Sequence, residues 1–298
     1  MRFLVFGSLN LDFVYTLDHI VAPGETETAM GISTFPGGKG LNQAIALARA
    51  GAEVHFAGMT GPDGGMLLDV LSQDGVDTTR IRRLPDPSGQ ALIQLSKAGE
   101  NSIILFPGTN RMMTPEYITA ALFGFGPGDM LLLQNEINGL PEIIATAHAQ
   151  GMRIALNPSP MDDHLAACDL SKVDLFFINE VEGRQITGED TPDAILQAMR
   201  TRFPAAAVVL TLGGDGVRYA DAEQTFAHPA YSVPLVDTTA AGDTFTGFFL
   251  ATLSREGSPG AALRAASVAA ALAVSRMGAS ISIPTVAEVA AADITPRT

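Results

Sequence analysis

Asp237-Thr238-Thr239-Ala240-Ala241-Gly242-Asp243-Thr244-Phe245 is the stretch on which the fold turns. Val233 to Val236, just before it, read as the end of a strand. Beyond it, Phe245, Phe248, Phe249, Thr252 and Leu253 recur at helical spacing and predict one buried face. The small residues 240–242 therefore sit where a strand becomes a helix, the repeated joint of an α/β fold. The first N–H groups of a helix lack intrahelical acceptors, and the helix dipole favours negative charge there. Ala240, Ala241 and Gly242 carry no bulk that would keep an anion from those groups. Asp243, in the first turn, lies beside such an anion. A carboxylate in that place can take a proton from an attacking hydroxyl while N–H groups hold a transferring phosphate. Asp243 also suits a plain capping role, and Gly-Asp-Thr alone does not separate the two.

A second glycine-rich stretch, Gly37-Gly38-Lys39-Gly40-Leu41-Asn42-Gln43-Ala44, opens a predicted helix over 41–50 that stops at Gly51. Its glycines let backbone approach a ligand closely. The spacing of a Walker loop is absent, and Gly7-Ser8-Leu9-Asn10 does not supply the glycine pattern of a dinucleotide fold. Lys39 by itself would suit a solvated helix start. The two stretches, about 200 residues apart, together resemble the paired signatures of the ribokinase family of carbohydrate kinases, also called the phosphofructokinase-B family. The resemblance runs from Gly7-Ser8-Leu9-Asn10 to Gly278-Ala279. It implies a three-layer α/β/α sandwich with a mostly parallel central sheet and a small β-sheet lid. It also implies transfer of the γ-phosphate of ATP to a primary hydroxyl of a pentose, D-ribose foremost, giving D-ribose 5-phosphate. A nucleoside kinase or fructokinase on the same fold, or a sugar-binding protein without turnover, are the alternatives.

Composition is compatible with this. The 298 residues are 47% hydrophobic, ample for a core, and suit one large α/β domain over 1–298 as well as two smaller ones. A net charge of −14 argues against nucleic-acid or anionic-membrane partners. It does not oppose ATP, whose phosphates can be held by backbone N–H groups, Mg²⁺ and one or two local cations. A single cysteine, Cys168, excludes an intrachain disulfide and suits a reducing cytoplasm. Residues 1–7 lack the length and cleavage pattern of a signal peptide. The Ala-rich segment 261–274 is interrupted by Arg264 and Ser267, so no membrane span is expected.

Along the chain, Arg2–Phe6 reads as a buried parallel strand. Further strands are predicted at 54–58, 129–133, 153–157, 174–178, 206–212 and 216–220. Helices are predicted at 64–74, 140–150, 179–187, 192–203, 258–275 and 284–291. Residues 11–17, 29–36 and 90–106 carry β-formers outside this rhythm. They predict either a separate small sheet or edge strands of the main one.

Asn10 and Asp12 follow the first strand, at the end where open α/β sheets bind ligands, and extended backbone turns both the same way. They suit sugar hydroxyls, and they also suit a turn. The resemblance assigns Asn10, Asp12, Gly38, Lys39, Asn42, Glu136 and Asp243 to the sugar. It assigns Ala240, Ala241, Gly242 and Asp243 to catalysis, with Asp243 as the general base. Thr211, Gly213, Gly214, Asp215 and Gly216 form a tight turn that can seat a nucleotide or simply join two strands. With Asn179, Gly242 and Ser267 they form the nucleotide set by resemblance. Ser267 stands where ribokinase-like chains often carry Asn or His beside the base. Glu182, in Asn179-Glu180-Val181-Glu182, would hold Mg²⁺ through water, while Asn179 also suits a helix cap. Asp237, Thr239, Ala273, Arg276, Gly278 and Ser282 would hold an activating K⁺, mostly through backbone carbonyls. A homodimer through the lid completes what the resemblance implies.

Overall fold

The computed structural model describes residues 1–297. Thirteen strands and nine α-helices are present among them. The strands are β1 (Arg2–Phe6), β2 (Asn10–Leu17), β3 (Gly31–Gly37), β4 (Glu53–Thr60), β5 (Asp77–Arg83), β6 (Gly89–Ser96) and β7 (Asn101–Phe106). They continue as β8 (Met130–Gln134), β9 (Arg153–Asn157), β10 (Leu175–Asn179), β11 (Ala207–Thr211), β12 (Val217–Ala220) and β13 (Thr225–His228). The helices are α1 (Lys39–Arg49), α2 (Gly65–Gln73), α3 (Pro115–Leu122), α4 (Leu140–Ala149) and α5 (Glu180–Thr187). Then come α6 (Pro192–Arg202), α7 (Ala241–Glu256), α8 (Pro259–Val274) and α9 (Val286–Ala291).

Nine strands form one sheet in the order β13-β12-β11-β10-β9-β8-β1-β4-β5. All pairings are parallel except those of β12, which is antiparallel to β11 and β13. Successive residues of a strand face opposite sides, and β1 shows the consequence. Phe3 and Val5 join the core under α1, α2, α7 and α8, whereas Leu4 and Phe6 join the core under α3, α4 and α6. Helices on both faces therefore sandwich the sheet in three layers. β1 has β4 on one side and β8 on the other. The winding reverses between β1 and β8, which opens a crevice at their carboxyl ends.

β3, β2, β6 and β7 form a second, four-stranded sheet, so the separate-sheet expectation holds over the edge-strand one. β2 pairs in parallel with β6 and antiparallel with β3. β3 and β7 are its two edges and are largely exposed.

Three elements escaped the sequence reading. β5 (Asp77-Thr-Thr-Arg-Ile-Arg-Arg) is an edge strand with one apolar side chain, and α3 and β13 are short. One expectation is corrected: Val233–Val236 form no ladder. Leu235 and Val236 are 71% and 48% exposed, and the Val236 and Asp237 N–H groups both donate to the Val274 carbonyl at the end of α8. The chain enters α7 from an extended segment tied to a helix terminus.

α1 and α7 pack side by side. A side chain at Gly247 would collide with Ala46 and Leu47, so the backbones meet there. One turn earlier on both helices, Asp243 faces Asn42 and Gln43. The helices therefore run parallel, and both N-termini point at the crevice.

Candidate active site

The junction before α7 has the geometry that its small residues permit. Ala240 is left-handed, with φ of 60°, and caps the helix without a side-chain hydrogen bond. The Ala241 N–H is turned toward the Thr238 carbonyl at 3.3 Å. The first-turn N–H groups of Gly242 and Asp243 remain for an anion. The space where a Gly242 side chain would project is open.

Asp243 is 6% exposed and is gripped from α1: Gln43 Nε2 donates to Oδ1 at 2.8 Å and Asn42 Nδ2 to Oδ2 at 3.3 Å. Beside it, Lys39 and Glu136 form the charged floor of the crevice. Ser8 Oγ donates to Glu136 Oε2, which also accepts the Lys39 backbone N–H at 3.0 Å. Burial pushes the Glu136 carboxyl up, against the pull of Lys39. Burial also works to lower the Lys39 ammonium, but the fields of Asp243, Glu136 and Glu182 outweigh it and hold Lys39 protonated.

Asp12 stands opposite, over Gly37, where any side chain would strike its carboxylate. Burial, and then the nearby Glu136 charge, push Asp12 up to about 7. Asn10 is buried, and its Oδ1 accepts from Asn110 Nδ2 at 2.7 Å. A carboxylic acid raised this far, without a protein counter-charge of its own, is poised to bond hydroxyl groups.

On the other side of the Asp243 turn lies a cavity of about 430 Å³. Its lining includes Thr211, Gly213, Gly214, Gly216, Gly242 and Ser267. The Gly213–Asp215 turn joins the antiparallel pair β11 and β12, and its Gly213 and Gly214 also wall this cavity. Asp215 itself faces a different pocket, with Arg218 and His228, and Asn179 is not in the cavity wall. Gly242 thus lines this cavity while Asp243, the next residue, turns away from it toward Asn42 and Gln43 of α1.

Asn179 and Glu182 form a reciprocal capping box: Glu182 N–H donates to Asn179 Oδ1 at 2.9 Å, and Glu182 Oε2 accepts the Asn179 N–H at 2.9 Å. Each Glu182 oxygen accepts one bond from Asn179, which leaves lone pairs for a water. The 237–239 turn is brought against the 273–282 segment. Asp237 Oδ1 takes the Thr239 N–H and hydroxyl at 2.9 and 2.6 Å, and its Oδ2 takes the Gly278 N–H at 2.9 Å. Burial works to raise the Asp237 carboxyl, but these donors together hold it below its usual range. Ser282 is buried with its hydroxyl on the Ala279 carbonyl.

Comparison with known proteins bears on the family and the fold. Residues 2–286 match the model of the pfkB family carbohydrate kinases. The chain belongs to that family. It is an ATP-dependent carbohydrate kinase. It is 35% identical to the ribokinase of Haemophilus influenzae over 293 residues, covering 94% of each chain. It superposes with a TM-score of 0.85 on the ribokinase of Cryptococcus neoformans in complex with ADP, at 32% identity over 97% of this chain and 99% of that one. The ribokinase of Arabidopsis thaliana complexed with ribose and ATP gives the same TM-score at 29% identity over 97% of both chains.

Sequence reasoning missed several residues that hold these candidate side chains in place. Gln43 lies inside the quoted glycine-rich stretch, but nothing local says that it faces Asp243 across 200 residues. Ser8, Asn110 and Gln134 hold Glu136, Asn10 and Gln43. Only the meeting of β1, β8 and the turn at 108–111 makes them neighbours.

Proposed function

We propose that the chain transfers the γ-phosphate of ATP to the primary hydroxyl of D-ribose. One observation carries this. Asp243 faces an acid-rich polar crevice, while Gly242 beside it opens on a separate cavity of nucleotide size. Sugar and nucleotide would enter from opposite sides and meet at the turn. Asn10, Asp12, Gly38, Lys39, Asn42 and Glu136 bind the sugar, and Thr211, Gly213, Gly214, Gly216 and Ser267 the nucleotide. Asp243 accepts the proton of the attacking hydroxyl. The Gly242 and Asp243 N–H groups, with Ala240 and Ala241 shaping the turn, hold the charge that grows on the phosphoryl oxygens. Proximity and exclusion of water supply much of the rate.

Six polar side chains and no Trp favour a small hydroxyl-rich ring over a nucleoside. The test is kcat/KM for ribose, 2-deoxyribose, fructose and adenosine at saturating ATP. Ribose ranks first and 2-deoxyribose falls below it, because a site built to bond each hydroxyl leaves its own groups unpaired when one is missing. If fructose or adenosine exceeds ribose, the pentose assignment fails and the kinase stands.

Two ions fit the donor sets. Glu182 retains acceptor capacity for a water of Mg²⁺, and the ion would supply charge neutralisation at the phosphates. The stapling of Asp237 to Thr239 and Gly278 brings the 237–239 and 273–282 segments together, and a large monovalent cation would be held between them by backbone carbonyls. Such a cation would fix the turn before α7 without touching either substrate. K⁺ therefore raises kcat severalfold over Na⁺ or Li⁺; equal rates in a buffer free of large monovalent cations contradict it.

The four-stranded sheet acts as a lid over the sugar, and its edge packs against a second copy. Ile103, Ile104, Leu105 and Phe106 of β7 are between 46% and 59% exposed, an apolar edge that a lone chain rarely leaves bare. Hydrogen exchange in 11–17, 29–36 and 90–106 slows when ribose is added, and light scattering gives the mass of two chains. Unchanged exchange at saturating sugar removes the lid, and a one-chain mass removes the dimer. No described helix is long and apolar enough to cross a membrane. A single, half-buried Cys168 supports a cytoplasmic setting, which cell fractionation tests.

A further inference from the structure

Asp243 is held by more than the groups that would meet a substrate. Gln43 Nε2 donates to Asp243 Oδ1 at 2.8 Å, and Gln43 Oε1 in turn accepts from Gln134 Nε2 at 2.6 Å. Both glutamines are 0% exposed. Gln43 projects from α1 among Leu41, Ala44, Ile45 and Leu47, all in the core, and Gln134 ends β8 at the point where the winding reverses. We propose that Gln43 and Gln134 form a positioning relay that fixes the Asp243 carboxylate for proton abstraction. The proposal rests on Asp243 being the base.

A carboxylate turns easily about its last torsion, which is broad and nearly two-fold. The short bond from Gln43 fixes Oδ1. It leaves Oδ2, held only by Asn42 at 3.3 Å, as the oxygen free to receive the sugar hydroxyl proton. A glutamine amide can present either end, and its oxygen against a carboxylate would be repulsive. The carboxylate therefore selects the Gln43 nitrogen, and Gln134 Nε2 completes the arrangement by donating to the Gln43 Oε1 left on the far side.

The cost of this arrangement is visible. Gln134 Oε1 is buried with no hydrogen-bond partner, in the space that a side chain at Gly7 would take. A methionine or leucine pair would fill the same space without an orphaned oxygen. Buried polar atoms left unpaired call for an explanation beyond packing, and orientation of the base supplies one.

Neither glutamine touches substrate in this scheme, so the relay should act on kcat and not on affinity. Gln43→Met keeps the volume and removes the donor: kcat falls about 10²-fold while KM for ribose and for ATP stays within about threefold. Gln134→Met keeps the donor but leaves the buried Gln43 Oε1 without its partner and the Gln43 side chain free to shift, and kcat falls about 10-fold. Gln43→Glu places a second carboxylate on Asp243, in the field of Lys39 on one side and Glu136 on the other. The acidic limb of its kcat/KM profile moves upward by about one pH unit or more.

Steady-state kinetics, pH profiles and thermal unfolding of the full chain decide the matter. A kcat within twofold of wild type in both Met variants, or an unmoved acidic limb in Gln43→Glu, overturns the relay. So do losses in which KM and unfolding temperature change along with kcat, which would mark a structural role. If Gln43→Met does not fold, Gln134→Met, which has no contact with Asp243, decides alone by its kcat. Asp243→Asn, measured in parallel, separates the two readings. An active Asp243→Asn enzyme removes the base itself, whereas an inactive one beside fully active glutamine variants removes only the relay.

Discussion

Asp243→Asn lowers kcat by about 10²–10⁴-fold while ribose and ATP still bind. The substitution keeps the shape of the side chain and takes away its basicity. It also sets a donor against donors. Gln43 and Asn42 each aim an N–H at one carboxylate oxygen, and the asparagine NH₂ group must meet one of them. The side chain of the variant is therefore both non-basic and poorly seated. Sugar affinity changes little, because Asn10, Asp12, Lys39 and Glu136 approach from β2, α1 and the end of β8. Nucleotide affinity changes little, because the cavity beyond Gly242 contains no part of Asp243. The measurement is kcat alongside calorimetric titration of each ligand. A variant that keeps more than about a tenth of wild-type turnover rules out Asp243 as the base and returns it to the capping role.

How far such a site is legible in the sequence depends on what each residue needs. The turn before α7 was readable because small residues ahead of a helical apolar pattern and an acid in the first turn are local features. Arg2–Phe6 and Arg153–Asn157 coincide with their predicted bounds, because short apolar runs covered on both faces leave one reading. Val233–Val236 misled for the converse reason. Apolar composition fits a strand, but the amides at 236 and 237 are claimed by the end of α8, which no local pattern records. β5 escaped because an edge strand rich in arginine lacks the apolar signal that inner strands carry. The glutamine pair behind Asp243 was invisible for a third reason. Gln43 and Gln134 are 91 residues apart, and each is unremarkable until the crossover between β1 and β8 joins them.

The free protein should also bear a cost at Asp12 that substrate relieves. Its carboxyl is raised to about 7 by burial and by the charge of Glu136, whereas in the unfolded chain it titrates near the ordinary aspartate value of 3.8. Below pH 3.8 the group is protonated in both states and contributes no pH dependence. Between 3.8 and 7 the folded protein holds a proton that the unfolded chain has lost, so stability falls as pH rises. Above 7 the full cost of the buried charge is present. Asp12→Asn removes it and stabilises the free protein at pH 8 by about 2 kcal/mol, a figure reduced for partial solvent contact. The gain shrinks toward zero as the pH approaches 4. Lys39, on the far side of Glu136, stays charged throughout and does not alter the sign. The same change lowers kcat/KM for ribose by about 10²-fold, because a charged acceptor for sugar hydroxyls is worth more than a neutral amide. Thermal unfolding from pH 4 to 8 in the absence of sugar, paired with kinetics at pH 8, checks both halves. A variant less stable than wild type at pH 8 contradicts the buried-charge account. One that keeps full activity on ribose takes Asp12 out of the sugar site.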